Sequence, residues 1–273
     1  LTNFYVAQPV CSASRAAILT GCYPNRVGVH GALGPGSKTG LDPAEVTIAD
    51  MCKDRGYATG AFGKWHLGDA PNLMPLAQGF DAYAGIPYSN DMWPLHPDLV
   101  KLPPDAAARK RGYPPLPFYE NAEVIDAEVT AAEQRGMTAD LTERACAFVR
   151  ANAAGPFFLY VPYPMPHVPI FAGEAYEGRS GAGLYGDVIA EIDGSVGRIV
   201  EQIDSLGLGP NTLVMFTSDN GPWLSYGDHA GVTGGLREGK GTTWEGGVRE
   251  PFIARWPGRL PAGAVRETPA MAI

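Results

Sequence analysis

Three short apolar runs in this chain each break off into a polar cluster, and that repetition constrains the fold more than any other feature. Tyr57–Phe62 runs into Gly63-Lys64-Trp65-His66-Leu67-Gly68. Phe157–Pro162 leads to His167, held in a proline-rich segment. Thr212–Thr217 ends in Ser218-Asp219-Asn220-Gly221. Apolar runs of this length, bounded by Gly, Pro and Asn, read as strands. Phe4–Val6 and Pro251–Trp256 are two further short strands.

Helical patterns lie between them. Cys11 to Gly21 forms one. Asp42-Pro43-Ala44-Glu45 announces a second, with Asp as cap, Pro at the first helical position and Val46, Ala49, Met51 and Cys52 as its apolar side. A third takes Thr138 as its cap and spaces Leu141, Ala145, Phe148 and Val149 helically. A fourth carries Val188, Ile192, Val196, Ile199, Val200 and Ile203, and Gly207 stops it. Alternating strand and helix predicts an α/β fold with a largely parallel central sheet flanked by helices. In such a sheet the carboxyl ends of the strands share one edge, where ligands bind. Lys64, His66, His167, Asp219 and Asn220 therefore converge. Residues 71–135 read as loop-rich, and so much irregular chain points to functional surface.

The stretch Val10-Cys11-Ser12-Ala13-Ser14-Arg15 opens the first helix. Ser12 or Ser14 is expected to cap it, and Gly21 to end it in the left-handed conformation. Cys11 then sits at a helix N-terminus with Arg15 one turn on. The helix end and the guanidinium both favour an anion there. A buried structural thiol is the alternative, because free Cys is among the most buried residue types.

A chain of 273 residues with 45% hydrophobic and 18% charged residues can bury a sizeable core and is globular rather than disordered. A formal net charge of −8 argues against a nucleic-acid partner, which would leave a basic footprint. An anionic substrate would need a local cluster of cations or a metal. The four cysteines, Cys11, Cys22, Cys52 and Cys146, follow neither a zinc nor a dense disulfide pattern, and no apolar run is long enough to span a membrane.

Each cluster alone has an ordinary explanation. Lys64 and His66 read as an exposed Lys and a satisfied His, and His167 as a structural loop residue. Asp219-Asn220-Gly221 reads as an Asx turn, or as oxygen ligands for a hard cation such as Ca²⁺ or Mg²⁺. Lys240, in the Gly-rich loop from Gly231 to Gly247, is a loop charge or an oxyanion contact. Jointly they supply three cations (Arg15, Lys64 and Lys240), two imidazoles, a metal site and a nucleophile at Cys11. That inventory suits displacement at a charged tetrahedral centre, phosphoryl or sulfuryl.

Cys11-Ser12-Ala13-Ser14-Arg15 with Leu19-Thr20-Gly21 resembles the signature of the type I, formylglycine-dependent sulfatases of the alkaline phosphatase superfamily. Gly63–Gly68 resembles their second signature, and Ser218–Gly221 and Gly239–Pro251 the later two. Gly79-Phe80-Asp81 with Gly85–Ser89 is similar to the arylsulfatase A branch. The resemblance implies a sulfuric ester hydrolase acting on a sulfated small molecule or glycan. Cys11 would be oxidised to formylglycine by a maturation enzyme, and the hydrate of that aldehyde would attack sulfur. Arg15 would hold the hydrate and Lys64 would contact both hydrate and sulfate. Asp219 and Asn220 would ligate Ca²⁺, or Mg²⁺, with the oxygens at position 11. His167 and Lys240 would contact sulfate and assist departure of the alcohol, while His66 would take the proton that expels sulfate. Ser89 would be an additional sulfate contact. The loop Pro87–Tyr119 would shape the leaving-group pocket, with Trp93 and His96 as candidates. Family habit implies a periplasmic, secreted or lysosomal protein.

Two departures accompany the resemblance. The family motif has Pro where Ala13 stands; some bacterial relatives carry Ala there and are matured by an anaerobic radical enzyme. The family also begins with a strand ending in an Asp pair that ligates the metal, and ends in a smaller domain. Residues 1–273 are therefore expected to be an incomplete catalytic domain, truncated at both ends, that folds poorly or binds Ca²⁺ weakly. The competing functions are a phosphonate or phosphodiester hydrolase of the same superfamily and a non-catalytic fragment that binds sulfated glycans.

Overall fold

The computed structural model describes residues 1–273, the side chain of Lys110 excepted. In chain order the elements are β1 (Phe4–Val6), α1 (Cys11–Thr20), α2 (Ile48–Lys53), β2 (Ala58–Phe62), β3 (Ala82–Gly85), α3 (Pro97–Val100) and α4 (Ala107–Arg111). Then come β4 (Phe118–Glu120), β5 (Glu123–Asp126), α5 (Ala131–Ala151), β6 (Phe157–Tyr160), α6 (Gly183–Ser205) and β7 (Val214–Thr217). The chain closes with α7 (Glu245–Val248), β8 (Arg249–Glu250), β9 (Phe252–Arg255) and β10 (Ala270–Ala272).

The fold is mixed α/β. The main sheet has the order β5-β4-β3-β2-β6. Its core is parallel: β2 pairs with both β3 and β6 in parallel register, and β4 and β5 extend it antiparallel. Smaller sheets are β10-β1-β8 and β7-β9. Successive strand residues point to opposite faces, and the two hydrophobic clusters follow that alternation. Ala61, Tyr83, Phe158 and Tyr160 face the cluster that holds Ala13, Ala16 and Leu19 of α1. Phe62, Ala84, Leu159 and Val161 face the cluster that holds Met137, Leu141 and Ala145 of α5. So α1 covers one face of the sheet and α5, with α6 packed against it, covers the other. Among the described residues no helix is long and apolar enough to cross a membrane.

Several local expectations are corrected. Neither Ser12 nor Ser14 caps α1: the cap position is Val10, which makes no side-chain cap bond. The Ser12 hydroxyl instead accepts from the Leu33 amide at 3.1 Å. Gly21 does end the helix, at φ 66°. The second helix starts not after Asp42 but at Ile48, behind a reciprocal box between Thr47 and Asp50. Val46 and Met51, expected on its apolar side, are each 60% exposed. The third helix begins seven residues before Thr138, which is buried in mid-helix; Thr130 and Glu133 form its capping box. The span 71–135 is irregular in part, yet it also contributes β3, β4 and β5.

Candidate active site

Helix α1 sets the site. Cys11 is its first residue, and Ala13, Ala16 and Ala17 are completely buried along its length. Small residues there let the helix lie close to the sheet, and its first residue, Cys11, lies among the groups that follow β2 and β6. Arg15 lies four residues on and thus on the same side as Cys11. Its Nε donates to Asp219 Oδ2 at 2.7 Å, and its Nη1 donates to the Lys64 carbonyl. One guanidinium therefore joins helix α1, the segment after β2 and the segment after β7. Burial opposes the charge on Arg15, and the Asp219 carboxylate more than restores it, so the guanidinium is held firmly protonated.

The segment after β2 is threaded between its neighbours. The amides of Gly63, Lys64, Trp65 and His66 donate in turn to the carbonyls of Ala84, Pro162, Ile86 and Pro87. Backbone approaches so closely that a Cβ on Gly85, at φ 151°, would sit 1.8 Å from the Gly63 carbonyl oxygen. Glycine is required there for space as well as for its dihedral angle. The result holds Lys64 and His66 rigidly against Cys11, all three about 1% exposed. Lys64 Nζ donates to Ser89 Oγ at 3.0 Å. Burial, and secondly the Lys64 charge, lower the His66 pKa to about 4, so the ring is neutral at physiological pH. Its Nε2 lies 2.8 Å from the Leu33 carbonyl, which can only accept, so Nε2 carries the hydrogen. The buried Nδ1 is left without a partner, a free acceptor.

His167 follows β6. Its Nδ1 donates to the Val168 carbonyl at 2.7 Å, and its Nε2 accepts from Lys240 Nζ at 2.6 Å. Lys240 also lies 4.5 Å over the Trp223 ring. Its loop is fastened on both sides of the site: the Lys240 amide donates to Pro222 and the Gly241 amide to Pro9, both at 2.9 Å. Four of these groups act on Cys11. Burial would raise its pKa, but Lys64, Lys240, His167 and His66 outweigh it and hold the thiol well below its ordinary value.

The predicted site residues Cys11, Arg15, Lys64, His66, Ser89, His167, Asp219 and Lys240 thus come together through bonds or charge contacts. Asn220 stands beside Asp219, with its Oδ1 buried and unpartnered. Trp93 and His96 are buried: Trp93 packs edge-on against Phe171, and His96 pairs with Asp91. Two acids were not anticipated. Asp91 is 4% exposed, and Glu250 on β8 is 6% exposed. Burial, and then the Asp219 charge, push the Glu250 pKa up to about 8. No local sequence pattern marks either acid.

Asp219 and Asn220 are a partial fit to a hard cation. The orphaned Asn220 oxygen and the Asp219 carboxylate are of the right chemical kind. Among the described residues no group of three or more His, Cys, Asp or Glu is placed to hold a metal ion.

Known proteins resemble this chain over nearly its whole length. The family described as Sulfatase matches residues 1–272. Arylsulfatase A of Bos taurus is 41% identical over 97% of this chain and 53% of its own length. N-acetylgalactosamine-6-sulfatase of Homo sapiens is 38% identical over 96% of this chain and 51% of its own. A solved sulfatase from Pseudoalteromonas sp. superposes with a TM-score of 0.89 at 30% identity, over 100% of this chain and 57% of that one. The chain spans about half the length of the curated relatives it matches.

Proposed function

This chain belongs to the sulfatase family, and from that membership we propose that it is the catalytic part of a sulfuric ester hydrolase. The observation that carries the reading is the meeting, at one buried helix N-terminus, of Cys11 with Lys64, His66, His167 and Lys240 from three other segments. Residues 1–273 would be an incomplete catalytic domain of a longer, periplasmic, secreted or lysosomal enzyme. Its substrate would be a sulfated small molecule or glycan, and a formylglycine-generating enzyme its maturation partner.

Formylglycine at position 11 would supply a hydrated aldehyde as oxygen nucleophile, and Ca²⁺ (or Mg²⁺), held in part by Asp219 and Asn220, would draw charge from sulfate oxygens. Arg15, Lys64 and Lys240 offset the negative charge that gathers as the ester breaks. Ser89 holds the Lys64 ammonium in place. His66 is neutral with a free Nδ1, so it would be the acceptor for the proton of a hydroxyl on a converted residue 11. Lys240 and His167 share a proton between Nζ and Nε2 and deliver it to the departing alcohol oxygen.

The test is made on the full-length protein, expressed with an aerobic or an anaerobic maturation enzyme. The peptide containing Cys11 is weighed, and aryl sulfate and aryl phosphodiester turnover are compared. An aldehyde at position 11 and preference for the sulfate are expected. An unmodified thiol under both conditions supports a non-catalytic glycan-binding role, and a large preference for the diester supports a phosphodiester hydrolase.

A further inference from the structure

Asp91 is a buried carboxylate that the chemistry above does not use. It lies between the two histidines of its neighbourhood. Its Oδ2 is 3.5 Å from His96 Nε2, and its Oδ1 is 3.9 Å from His167 Nδ1. His96 Nδ1 accepts the Asp98 amide at 3.1 Å, so the His96 proton is on Nε2, facing Asp91. A ring in that state is neutral. It orients the carboxylate without cancelling its charge. Oδ1 has no hydrogen-bond partner although it is fully buried. At 3.9 Å its relation to His167 is a charge contact rather than a hydrogen bond.

The segments are locked together. Asn90, completely buried, donates to Gln134 Oε1 on α5 at 3.1 Å and to the Pro169 carbonyl at 3.0 Å. The loop bearing Asp91 and the segment bearing His167 therefore cannot drift apart without breaking buried bonds. Ser89 completes the bridge, with its Oγ 3.4 Å from His167 Nδ1.

Resting on the sulfatase reading, we propose that Asp91 is a positioning residue for the leaving-group acid, its buried charge holding the His167 ring and offsetting the positive charge that the ring carries while it passes a proton to the ester oxygen. His167 Nδ1 already has its hydrogen on the Val168 carbonyl, so a proton taken from Lys240 must enter at Nε2 and make the ring cationic. As the sulfur–oxygen bond breaks, that proton passes from Nε2 to the departing oxygen, and the ring is neutral again. A fixed negative charge behind Nδ1 offsets the transient positive charge of the ring at no cost in reorganisation. The groups facing the carboxylate support its ionised form against burial: His96 and Ser89 on its own loop, His167 after β6 and Lys64 after β2. Tyr113 and Tyr226 feel its charge from further away.

The experiment uses full-length matured enzyme and two esters. The para-nitrophenolate leaves without help, while para-methoxyphenolate needs a proton. Asp91→Asn is expected to lower kcat about 100-fold on para-methoxyphenyl sulfate and less than about fivefold on para-nitrophenyl sulfate, with KM little changed. Asp91→Glu should recover part of the loss. Thermal unfolding is recorded for each variant. If Asp91→Asn does not fold, His96→Gln is read in the same way, with a smaller difference between esters expected. Equal losses on both esters, or no loss on either, overturn the proposal while wild-type activity stands. A wild type that cleaves neither ester overturns the sulfatase reading and this proposal with it.

Discussion

Cys11, Lys64 and His66 are each about 1% exposed, whereas Asp219, across the site, keeps a fifth of its side chain in solvent. The supports behind them differ in the same direction. Helix α1 packs into one core cluster and strand β2 contributes to both. Strands β7 and β9 pair only with each other, and Met215 and Ile253 on them are more than 60% exposed. One wall of the site is thus built into the core, and the other stands near the surface. The groups proposed to need a fixed angle, residue 11 and the unpartnered Nδ1 of His66, are on the buried wall. Lys240 and Trp223, which would meet an incoming ester, are on the open one. Under the proposed function, the difference teaches that the nucleophile and its base are held rigidly, whereas Lys240, the source of the leaving-group proton, stands on the more open side where substrate would enter.

Arg15 is the joint between the walls, so its removal is the largest test. Arg15→Ala leaves the Asp219 charge without its partner and strands the Lys64 carbonyl. Breaking a buried pair this way costs about 3–5 kcal/mol, and the partial exposure of Asp219 puts the expectation near the lower figure. Urea unfolding of the variant against wild type measures it. A loss below about 1 kcal/mol, the value of a surface pair, would mean that the walls are not coupled through Arg15.

Much of this arrangement is legible in the sequence, because strand ends and polar clusters adjoin each other along the chain. Lys64, His66, His167 and Asp219 each stand within a few residues of an apolar run, and the parallel pairing of β2 with β6 brings the first three to one edge. Caps were less legible. Asp42-Pro43 has the composition of a helix start, yet the chain makes a turn there, with the Glu45 amide on the Asp42 carbonyl at 2.9 Å. Thr47 and Thr130 cap because an acid three residues on returns a bond to the cap amide, a pairing that composition alone does not rank. Asp91 and Glu250 were invisible for another reason. Their importance comes from burial against groups 76 and 31 residues away, His167 and Asp219, and no local pattern encodes that.

The second test concerns the buried wall by itself. His66 has a folded-state pKa of about 4 against an ordinary 6.5, so between those values the unfolded chain binds the proton and the folded one does not. Stability is therefore complete above pH 6.5 and is lost as pH falls through the window, by about 3 kcal/mol in all. His66→Gln should flatten that part of the stability profile. A stability profile of the wild type already flat from pH 6.5 to 4 would show that His66 is hydrated, and that this wall is as open as the other.

The smallest effect is expected on the open wall, at Trp223. Its ring lies 4.5 Å beneath Lys240 Nζ and 5.8 Å from the His167 ring, edge to face. It steadies the ammonium but donates no hydrogen bond to it, and Lys240 is also fixed by its amide on Pro222 and its Nζ on His167. A partly exposed cation–π contact contributes about 0.5–1 kcal/mol. Trp223→Ala should therefore raise KM about two- to fivefold and leave kcat nearly unchanged, since the Lys240–His167 hydrogen bond proposed to carry the leaving-group proton is kept. Steady-state kinetics on one aryl sulfate separate the two parameters. A drop in kcat comparable with that of an Asp91 variant on a poor leaving group would mean that Lys240 depends on the indole for its aim. The open wall would then be as exacting in its geometry as the buried one, and the division of labour between them would fail at the residue where it is easiest to see.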